Sequence, residues 1–246
     1  MKKKELKDFW NDEYRDPGYF ALSTVVSSDL EKWVRWMQKE FGKDAFRPGL
    51  TVLDLGTGNG RNLLYLCERF GMNGVGFDIS EEGIKQARQS FEKQNLGGQA
   101  QKAGENMKDK VKFDIRSIAD PFLLEDESVD IVLDMMASHF LKEDNRKDYL
   151  KELLRVLKPG GYLFFKSFYA PGDMHAKKLI KESNTGEENS YIHPKMKVYE
   201  YVWTDEAIQK FFGPHFNILH KEASHKHFNK GKPNKRRSIV VYMEKK

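Results

Sequence analysis

The chain has 246 residues, of which 39% are hydrophobic and 32% are charged, enough to build one large α/β domain with a full core. No apolar run approaches the roughly 20 residues that span a bilayer, and none follows the basic residues Met1–Lys7, so neither a membrane span nor a signal peptide is predicted. Cys67 is the single cysteine, which excludes an internal disulfide and favours a reducing, cytoplasmic location. The net charge of +5 is compatible with an anionic partner and does not require one.

Two helices are predicted before the first strand. The first runs from Lys2 to Tyr14 and ends at a Pro-Gly turn, and the second begins at Ser28 with an apolar face. We expect residues 1–48 to form a helical cap on the domain. Tyr14 and Tyr19 lie on either side of the turn. Each is interpreted either as a packing residue or as part of a substrate pocket.

The segment Thr51-Val-Leu-Asp-Leu-Gly-Thr-Gly-Asn-Gly-Arg61 predicts a short buried strand, a glycine loop and the start of a helix. A loop with three alternating glycines lets the backbone bend sharply and lets a ligand lie against it. The helix that starts at Arg61 directs its free N–H groups towards whatever the loop holds. Asp54 precedes the loop, and its carboxylate suits a ligand that carries positive charge.

A second predicted strand begins at Gly74 and ends at Asp78. Asp78 lies at the spacing of about 20 residues expected for a carboxylate that binds ribose hydroxyls. Dinucleotide sites share this layout, but their glycines follow G-x-G-x-x-G, and here the third position is Arg61. Arg61 and Asp54 therefore count against a nicotinamide-dependent oxidoreductase, an alternative that titration with NADH would test.

The pattern Asp54-x-Gly-x-Gly-x-Gly60, followed by Asp78, resembles the class I S-adenosylmethionine-dependent methyltransferases over about Val52 to Phe168. The resemblance implies an α/β fold, a doubly wound Rossmann-like sheet of about seven strands with the last strand antiparallel and helices on both faces. It implies S-adenosyl-L-methionine as the cofactor and methyl transfer as the reaction. In this family, N-terminal helices often cover the cofactor and shape the substrate pocket.

The resemblance also implies where the cofactor contacts lie. Asp54 is expected near the ammonium group, and Asp78 at the ribose. Ser117 and Ile118 are expected to border the adenine, although family members usually carry an acid where Ser117 stands. The expected cofactor-binding residues are Asp54, Gly56, Thr57, Gly58, Asn59, Gly60, Asp78, Ile79, Ser117, Ile118, Asp134 and Met135.

The fourth predicted strand ends at Asp134, at the edge where open α/β sheets bind ligands. No Asn-Pro-Pro-Tyr or Asp-Pro-Pro-Tyr motif begins there, which argues against the DNA methylases that hold a flipped base. His139 follows, and its ordinary pKa suits a general base. It is equally interpreted as a pocket wall, because methyl transfer often needs no base. The candidate catalytic residues are His139, Asp134 and Tyr19.

A helix from Asp148 to Leu157 is predicted to end in the turn Lys158-Pro-Gly-Gly161, which opens the fifth strand, Tyr162 to Phe168. A capped helix from Thr204 and a hairpin of two strands complete the chain. The residues between, 169–203, form a long insertion that is interpreted either as a lid or as a surface excursion. We therefore predict one domain over 1–246, made of the cap 1–48, a cofactor-binding core 49–168, the insertion 169–203 and a C-terminal region 204–246.

The methyl acceptor is expected to be a small molecule, because no separate RNA-binding or DNA-binding domain is seen. The alternative is tRNA or rRNA methylation through the basic segment His225–Arg237, where Phe228 is the only aromatic residue for stacking. An alternative of another class is a protein that binds the cofactor without turnover. The seven histidines do not fall at metal-ligand spacings with cysteine, so no metal is predicted. No membrane partner is predicted, and the oligomeric state is left open.

Overall fold

The computed structural model describes residues 3–20, 22–96, 110–183, 185–224, 227–229, 232–234 and 236–246. The predicted polar loop 97–110 lies outside these residues except for Lys110, as does part of the basic segment His225–Arg237. The helices within the described part are α1 (Lys3–Arg15), α2 (Ser28–Phe41), α3 (Arg61–Phe70), α4 (Glu81–Leu96), α5 (Glu143–Val156), α6 (Met174–Glu182) and α7 (Asp205–Phe212). None of these helices is long and apolar enough to cross a bilayer.

The strands of the described residues are β1 (Thr51–Leu55), β2 (Asn73–Asp78), β3 (Val111–Ile115), β4 (Val129–Met135), β5 (Leu157–Phe168), β6 (Ser190–Ile192), β7 (Tyr199–Tyr201), β8 (Phe216–Ala223), β9 (His227–Asn229), β10 (Lys232–Asn234) and β11 (Ser238–Lys245). Seven of them form one sheet in the order β3-β2-β1-β4-β5-β11-β8. The pairings from β3 to β5 are parallel, and β11 lies antiparallel between β5 and β8. The predicted doubly wound sheet with an antiparallel last strand is confirmed.

Successive side chains of each strand point to opposite faces of the sheet. Helices cover both faces, so both sets of side chains are buried. Val52 and Ile131 pack against α2, α3 and α4 on one face. Leu53 and Val132 pack against α5 and α7 on the other. Cys67 is fully buried in the first of these cores, and burial raises the pKa of its thiol to about 12. As predicted, it packs as a small hydrophobic residue.

The boundaries around the Pro-Gly-Gly turn differ from the prediction. α5 begins at Glu143 rather than Asp148, and β5 begins at Leu157 rather than Tyr162. The extra strand residues pair with β4, where Val129 lies opposite Leu157 and the register then shifts. The Pro-Gly-Gly residues lie within that irregularity, as in a bulge, where one strand holds more residues than its partner.

The insertion 169–203 contains α6 and a separate two-stranded sheet, β6 with β7. Asp173 caps α6 by accepting a hydrogen bond from the backbone N–H of Ala176 at 2.9 Å. Ala176, Leu179 and Tyr191 belong to a small core of this region. Because β7 packs beside the 3-10 turn Ser138–Phe140, the insertion supports the segment that follows β4.

Candidate functional site

A cavity of about 390 Å³ lies at the carboxyl ends of β1, β2, β4 and β5. This is the position where the chain reverses its direction of travel across the sheet, between β1 and β4. Its volume falls in the range of about 300–1,000 Å³ that small-molecule sites occupy. The N-terminal region lines one side of the cavity through residues of α1 and of the segment before α2.

The glycine loop forms the floor of the cavity. Its three glycines all have positive φ, +74° at Gly56, +57° at Gly58 and +80° at Gly60, a region that L side chains rarely adopt. A Cβ on Gly56 would lie 2.6 Å from the Cβ of Ala137, and one on Gly58 would overlap the hydroxyl of Tyr14. Gly56, Thr57, Gly58 and Asn59 line the cavity, whereas Gly60 lies behind them as the N-cap of α3.

Asp78 lines the cavity at the end of β2, and both of its carboxylate oxygens are held by backbone. The N–H of Gly58 donates to one oxygen and the N–H of Ser80 to the other, each at 2.8 Å. Burial raises the pKa of Asp78 to about 6, although these backbone hydrogen bonds favour the ionised form. Ile79 lines the cavity beside it.

Asp54 lies behind the cavity wall, whereas the prediction placed it in contact with the ligand. It is buried at the end of β1, and Thr57 lies in the cavity wall where Asp54 does not. The Thr57 hydroxyl donates to the Asp54 carboxylate at 2.8 Å. Burial, with the nearby charges of Asp78 and Asp134, raises the pKa of Asp54 to about 7. The expected direct contact with a ligand's ammonium group is therefore corrected, because Asp54 acts on the cavity through Thr57 and through its charge.

Ser117 and Ile118 line the opposite end of the cavity, just after β3. The Ser117 hydroxyl accepts a hydrogen bond from the backbone N–H of Ala119 at 3.2 Å. Arg116 lines the same end, with its guanidinium over the ring of Phe77. The side of the cavity nearest β3 therefore combines an uncharged hydroxyl, a guanidinium group and apolar surface.

Asp134 is a buried capping residue and does not line the cavity, which corrects its expected place among the cofactor-binding and catalytic residues. One carboxylate oxygen accepts the N–H groups of Ala137 at 3.3 Å and Ser138 at 3.1 Å, at the start of the 3-10 turn. The other accepts the hydroxyl of Tyr149 at 2.9 Å. With both oxygens occupied this way, Asp134 holds the segment after β4 against α5.

Replacing Asp134 with alanine should lower the free energy of unfolding by about 2–4 kcal/mol, since it leaves the Tyr149 hydroxyl and two N–H groups without their acceptor. Urea unfolding followed by circular dichroism measures this change. Asp126→Ala, at a largely exposed carboxylate, serves as the matched control and should change stability by less than about 0.5 kcal/mol. A fully stable Asp134→Ala protein that no longer binds its ligand would contradict the capping role.

Met135 and His139 line the cavity. His139 is fully buried in the 3-10 turn, and burial together with the charge of Arg236 lowers its pKa to about 3. The ring is therefore neutral near pH 7, which corrects the expectation of a base that titrates near neutrality. Neither ring nitrogen has a hydrogen-bond partner among the described residues.

The two tyrosines near the Pro-Gly turn have different positions. Tyr19 is 54% exposed and is not part of the cavity wall, so its expected catalytic role is corrected. The Glu13 carboxylate accepts the N–H groups of Tyr19 and Phe20, each at 3.1 Å, and this turns Phe20 into the cavity instead. Tyr14 lies against Gly58 and Gly83, on the same side as Asp78. Burial and the charge of Asp78 raise the pKa of its hydroxyl.

Several lining residues were not predicted from the sequence. On α1, Leu6 and Trp10 stand four residues apart and share one helix face with Tyr14, the one residue of this face that the sequence offered as a pocket candidate. Arg61 lines the cavity at the start of α3, and its guanidinium donates to the carbonyl of Val25 at 2.9 Å. The others are Arg116, Phe140, Leu141, Lys166 and Phe168. No cluster of side chains that could hold a metal ion occurs within the described ranges.

Most of the residues that line the cavity lie in a part of the chain that matches a known domain family. Residues 46–213 match a family model described as a methyltransferase domain. The 2-methyl-6-phytyl-1,4-hydroquinone methyltransferase of Synechocystis sp. is 29% identical over 166 residues, which cover 64% of this chain and 45% of that protein. Phosphoethanolamine N-methyltransferase 1 of Triticum aestivum is 25% identical over 209 residues, 82% of this chain and 38% of that protein. The chain thus spans less than half the length of these curated relatives.

Solved structures share the fold along nearly the whole chain. The magnesium protoporphyrin IX methyltransferase of Synechocystis has a TM-score of 0.66 at 18% identity and covers 99% of both chains. The geranyl diphosphate C-methyltransferase of Streptomyces coelicolor has a TM-score of 0.65 at 14% identity and covers 99% of this chain and 98% of that one. At these identities the likeness shows the fold.

Proposed function

Because the chain belongs to the methyltransferase-domain family and is a class I S-adenosylmethionine-dependent member by its motifs and fold, we propose that it transfers a methyl group from S-adenosyl-L-methionine to a small-molecule acceptor. The observation that carries the proposal is the pairing of the glycine loop with Asp78. The Asp78 carboxylate lines a cavity whose floor at Gly56 and Gly58 has no room for a side chain.

The residues of the cavity fit this cofactor. Asp78 would accept hydrogen bonds from the two ribose hydroxyls, and Ile79, Ser117 and Ile118 would border the adenine. Thr57 and the backbone of Gly58 would lie along the amino-acid end. Buried negative charge from Asp54, and from Asp78, favours a positively charged sulfur close by. The wall residues Met135 and His139 stand on the acceptor side.

S-adenosylmethionine, when bound, supplies a methyl group that is already activated by the positive charge on sulfur. The protein's own contribution is therefore alignment and the exclusion of water. Tyr14 on α1 covers the glycine loop, and Trp10 and Phe20 close the side of the cavity nearest the N-terminus. The insertion 169–203 packs behind the 3-10 turn and contributes no residue to the described cavity wall. Its interpretation as a lid or a surface excursion, and the single domain over 1–246, stay predictions.

A small-molecule acceptor is favoured over RNA by the contacts of two described arginines at the end of the basic segment. Arg236 pairs with Glu200 at 3.1 Å, and Arg237 donates to the carbonyl oxygen of Pro171 at 2.6 Å. These two cations are thus engaged within the protein, whereas an RNA site needs them turned towards phosphates. The relatives named above carry small-molecule acceptors in their names. A cytoplasmic location is proposed on the single ground that the one cysteine is buried and unpaired.

Cofactor affinity should depend on pH, and the direction follows from the raised pKa values. Asp78 is protonated in the free protein below pH about 6, and the proton competes with the ribose hydroxyls for the carboxylate. Affinity for S-adenosylhomocysteine should therefore fall as the pH drops through 6 and level off above about 7, the pKa of Asp54. Calorimetry between pH 5 and 8 measures this, and Asp78→Asn should remove the step near 6. A flat profile in the unmodified protein would contradict the assigned role of Asp78.

The proposed activity is tested in two stages. Calorimetry with S-adenosylmethionine, S-adenosylhomocysteine and NADH first establishes which ligand binds. Protein loaded with methyl-labelled S-adenosylmethionine is then challenged with fractionated metabolite and RNA pools. Label in a metabolite fraction supports the proposal, whereas label in RNA supports the alternative. Cofactor binding with no transfer to any fraction would indicate a non-catalytic binding protein, and binding of NADH alone would overturn the family-based assignment of the cofactor.

A further inference from the structure

The side of the cavity that faces β4 and β5 is built from aromatic rings. Trp10 stacks on Phe20 with ring centroids 5.1 Å apart, and it meets the edge of Phe140 at 5.4 Å. The ring of His139 lies 4.0 Å from that of Phe140 and 4.9 Å from that of Phe168. All five residues line the cavity. We call them the aromatic wall.

Polar groups behind the aromatic wall hold it in place. The buried Glu13 carboxylate fixes the backbone of Phe20. The guanidinium of Arg236 lies 3.6 Å from the centroid of the Phe168 ring and is paired with Glu200. The wall is therefore preformed, which lowers the entropy lost when a flat molecule binds to it.

The charges around the wall favour an uncharged acceptor. Among the described residues that line the cavity, Asp78 is the only carboxylate, and it lies at the end of β2 with both oxygens engaged. A cationic acceptor would find no counterion at the wall, because the carboxylate of Glu200 behind it is already paired with Arg236. Lys166 does line this side, but its ammonium group already pairs with Asp29 at 2.6 Å. An anionic acceptor would therefore have to compete with that carboxylate.

His139 supplies the polar group of the wall. Both of its ring nitrogens are buried and have no hydrogen-bond partner within the described part of the chain, an arrangement that is costly unless a ligand satisfies it. A neutral imidazole presents one donor and one acceptor. A hydroxyl group matches it, because a hydroxyl both donates and accepts.

We propose that the methyl acceptor is an uncharged aromatic hydroxy compound, whose ring lies on the aromatic wall and whose hydroxyl hydrogen-bonds to His139. This inference rests on the proposed methyltransferase function and names its substrate class. The hydroxyl oxygen forms the new O–C bond while the C–S bond breaks and its electron pair stays on sulfur. The hydroxyl proton passes to the unprotonated nitrogen of His139 and then to solvent. A weak base suffices, because a hydroxyl group whose oxygen gains a methyl group carries a positive charge and becomes a very strong acid.

The test uses matched ring compounds on the full chain saturated with S-adenosylhomocysteine. Phenol and 2-naphthol are compared with the same rings carrying an aminomethyl group, which is cationic, or a carboxylate. Calorimetry measures the binding of each compound to this complex. In a separate assay without S-adenosylhomocysteine, methyl-labelled S-adenosylmethionine is the donor and the label follows methyl transfer. We expect the hydroxy compounds to bind at least about 10-fold more tightly than either charged series, and to be methylated on oxygen.

Substitutions distinguish the contribution of His139 from that of the other residues of the aromatic wall. His139→Phe should leave the affinity for S-adenosylhomocysteine within about twofold, weaken 2-naphthol binding about 10-fold and reduce transfer about 100-fold. His139→Gln, which keeps a hydrogen-bonding group, should lose less. His220→Phe is the matched control, since His220 also stacks on an aromatic ring, that of Tyr242, but lies outside the cavity wall. It should change none of these values. Trp10→Leu provides a second test should His139→Phe fail to fold, because it should weaken 2-naphthol binding and leave His139 in place.

The outcomes distinguish this inference from the function on which it rests. Should the unmodified protein not bind S-adenosylhomocysteine, the proposed function fails and the inference falls with it. Should it bind that ligand while every hydroxy compound fails to bind, or while the cationic rings bind as tightly, the acceptor class alone is overturned. Unchanged methyl transfer in both His139→Phe and Trp10→Leu would overturn the assigned wall.

Discussion

Replacing Gly58 with alanine should weaken the affinity for S-adenosylhomocysteine by about 100-fold, which corresponds to about 2.7 kcal/mol. Gly58 has φ +57°, where a side chain adds backbone strain of about 1–2 kcal/mol. The new Cβ would also overlap the hydroxyl of Tyr14. Either the loop or α1 must move, and both form part of the cavity. Calorimetry with purified protein measures the loss.

Gly42→Ala is the matched control for backbone strain alone. Gly42 has φ +84°, and nothing lies within 4 Å of an added Cβ. Its substitution should therefore cost stability without changing ligand affinity. In the Gly58→Ala background, Tyr14→Ala should recover part of the lost affinity by removing the overlap. Equal ligand affinity in Gly58→Ala and the unmodified protein would show that the cofactor does not lie against this loop.

Replacing Asp78 with alanine should weaken cofactor affinity by about 5–150-fold, the cost of about 1–3 kcal/mol for losing a charged hydrogen-bond acceptor. The substitution removes the proposed partner of the ribose hydroxyls. It also removes the acceptor of the N–H groups of Gly58 and Ser80, so part of the loss reflects a looser loop. Calorimetry with S-adenosylhomocysteine and with its 2′-deoxyribose counterpart separates the two contributions.

The unmodified protein should prefer the ribose ligand, and Asp78→Ala should lose most of that preference. Asp114→Ala is the matched control, because Asp114 is an exposed acid on the neighbouring strand β3, opposite Phe77 in the register. Thermal unfolding of each variant establishes that it is folded. A variant at Asp78 that keeps both its affinity and its preference for ribose would place the ribose elsewhere in the cavity.

Local sequence patterns were sufficient to predict the strand, the glycine loop and the helix that form one side of this site. The strand before Gly56, the glycines and the helix from Arg61 are consecutive residues, so their alternation and spacing encode the loop without help from distant parts of the chain. Asp78 was predictable for the same reason, since a carboxylate at the end of the next parallel strand must lie beside the first. The doubly wound sheet of about seven strands and its antiparallel last strand followed from the family resemblance, and the structure confirms them.

The roles of individual side chains at the cavity depended on contacts between distant segments. Asp134 is the second-last residue of β4, which ends at Met135 rather than at Asp134, and Tyr149 on α5 donates to its carboxylate away from the cavity. Glu13 turns Phe20 inward and leaves Tyr19 in solvent.

The sequence by itself determined the glycine loop and the position of Asp78 beside it, because both depend on spacing along the chain, and its family resemblance implied the sheet. Only the tertiary structure decided which rings form the aromatic wall and that His139 is neutral, since the wall joins α1, the 3-10 turn and β5, and the pKa follows from burial and Arg236.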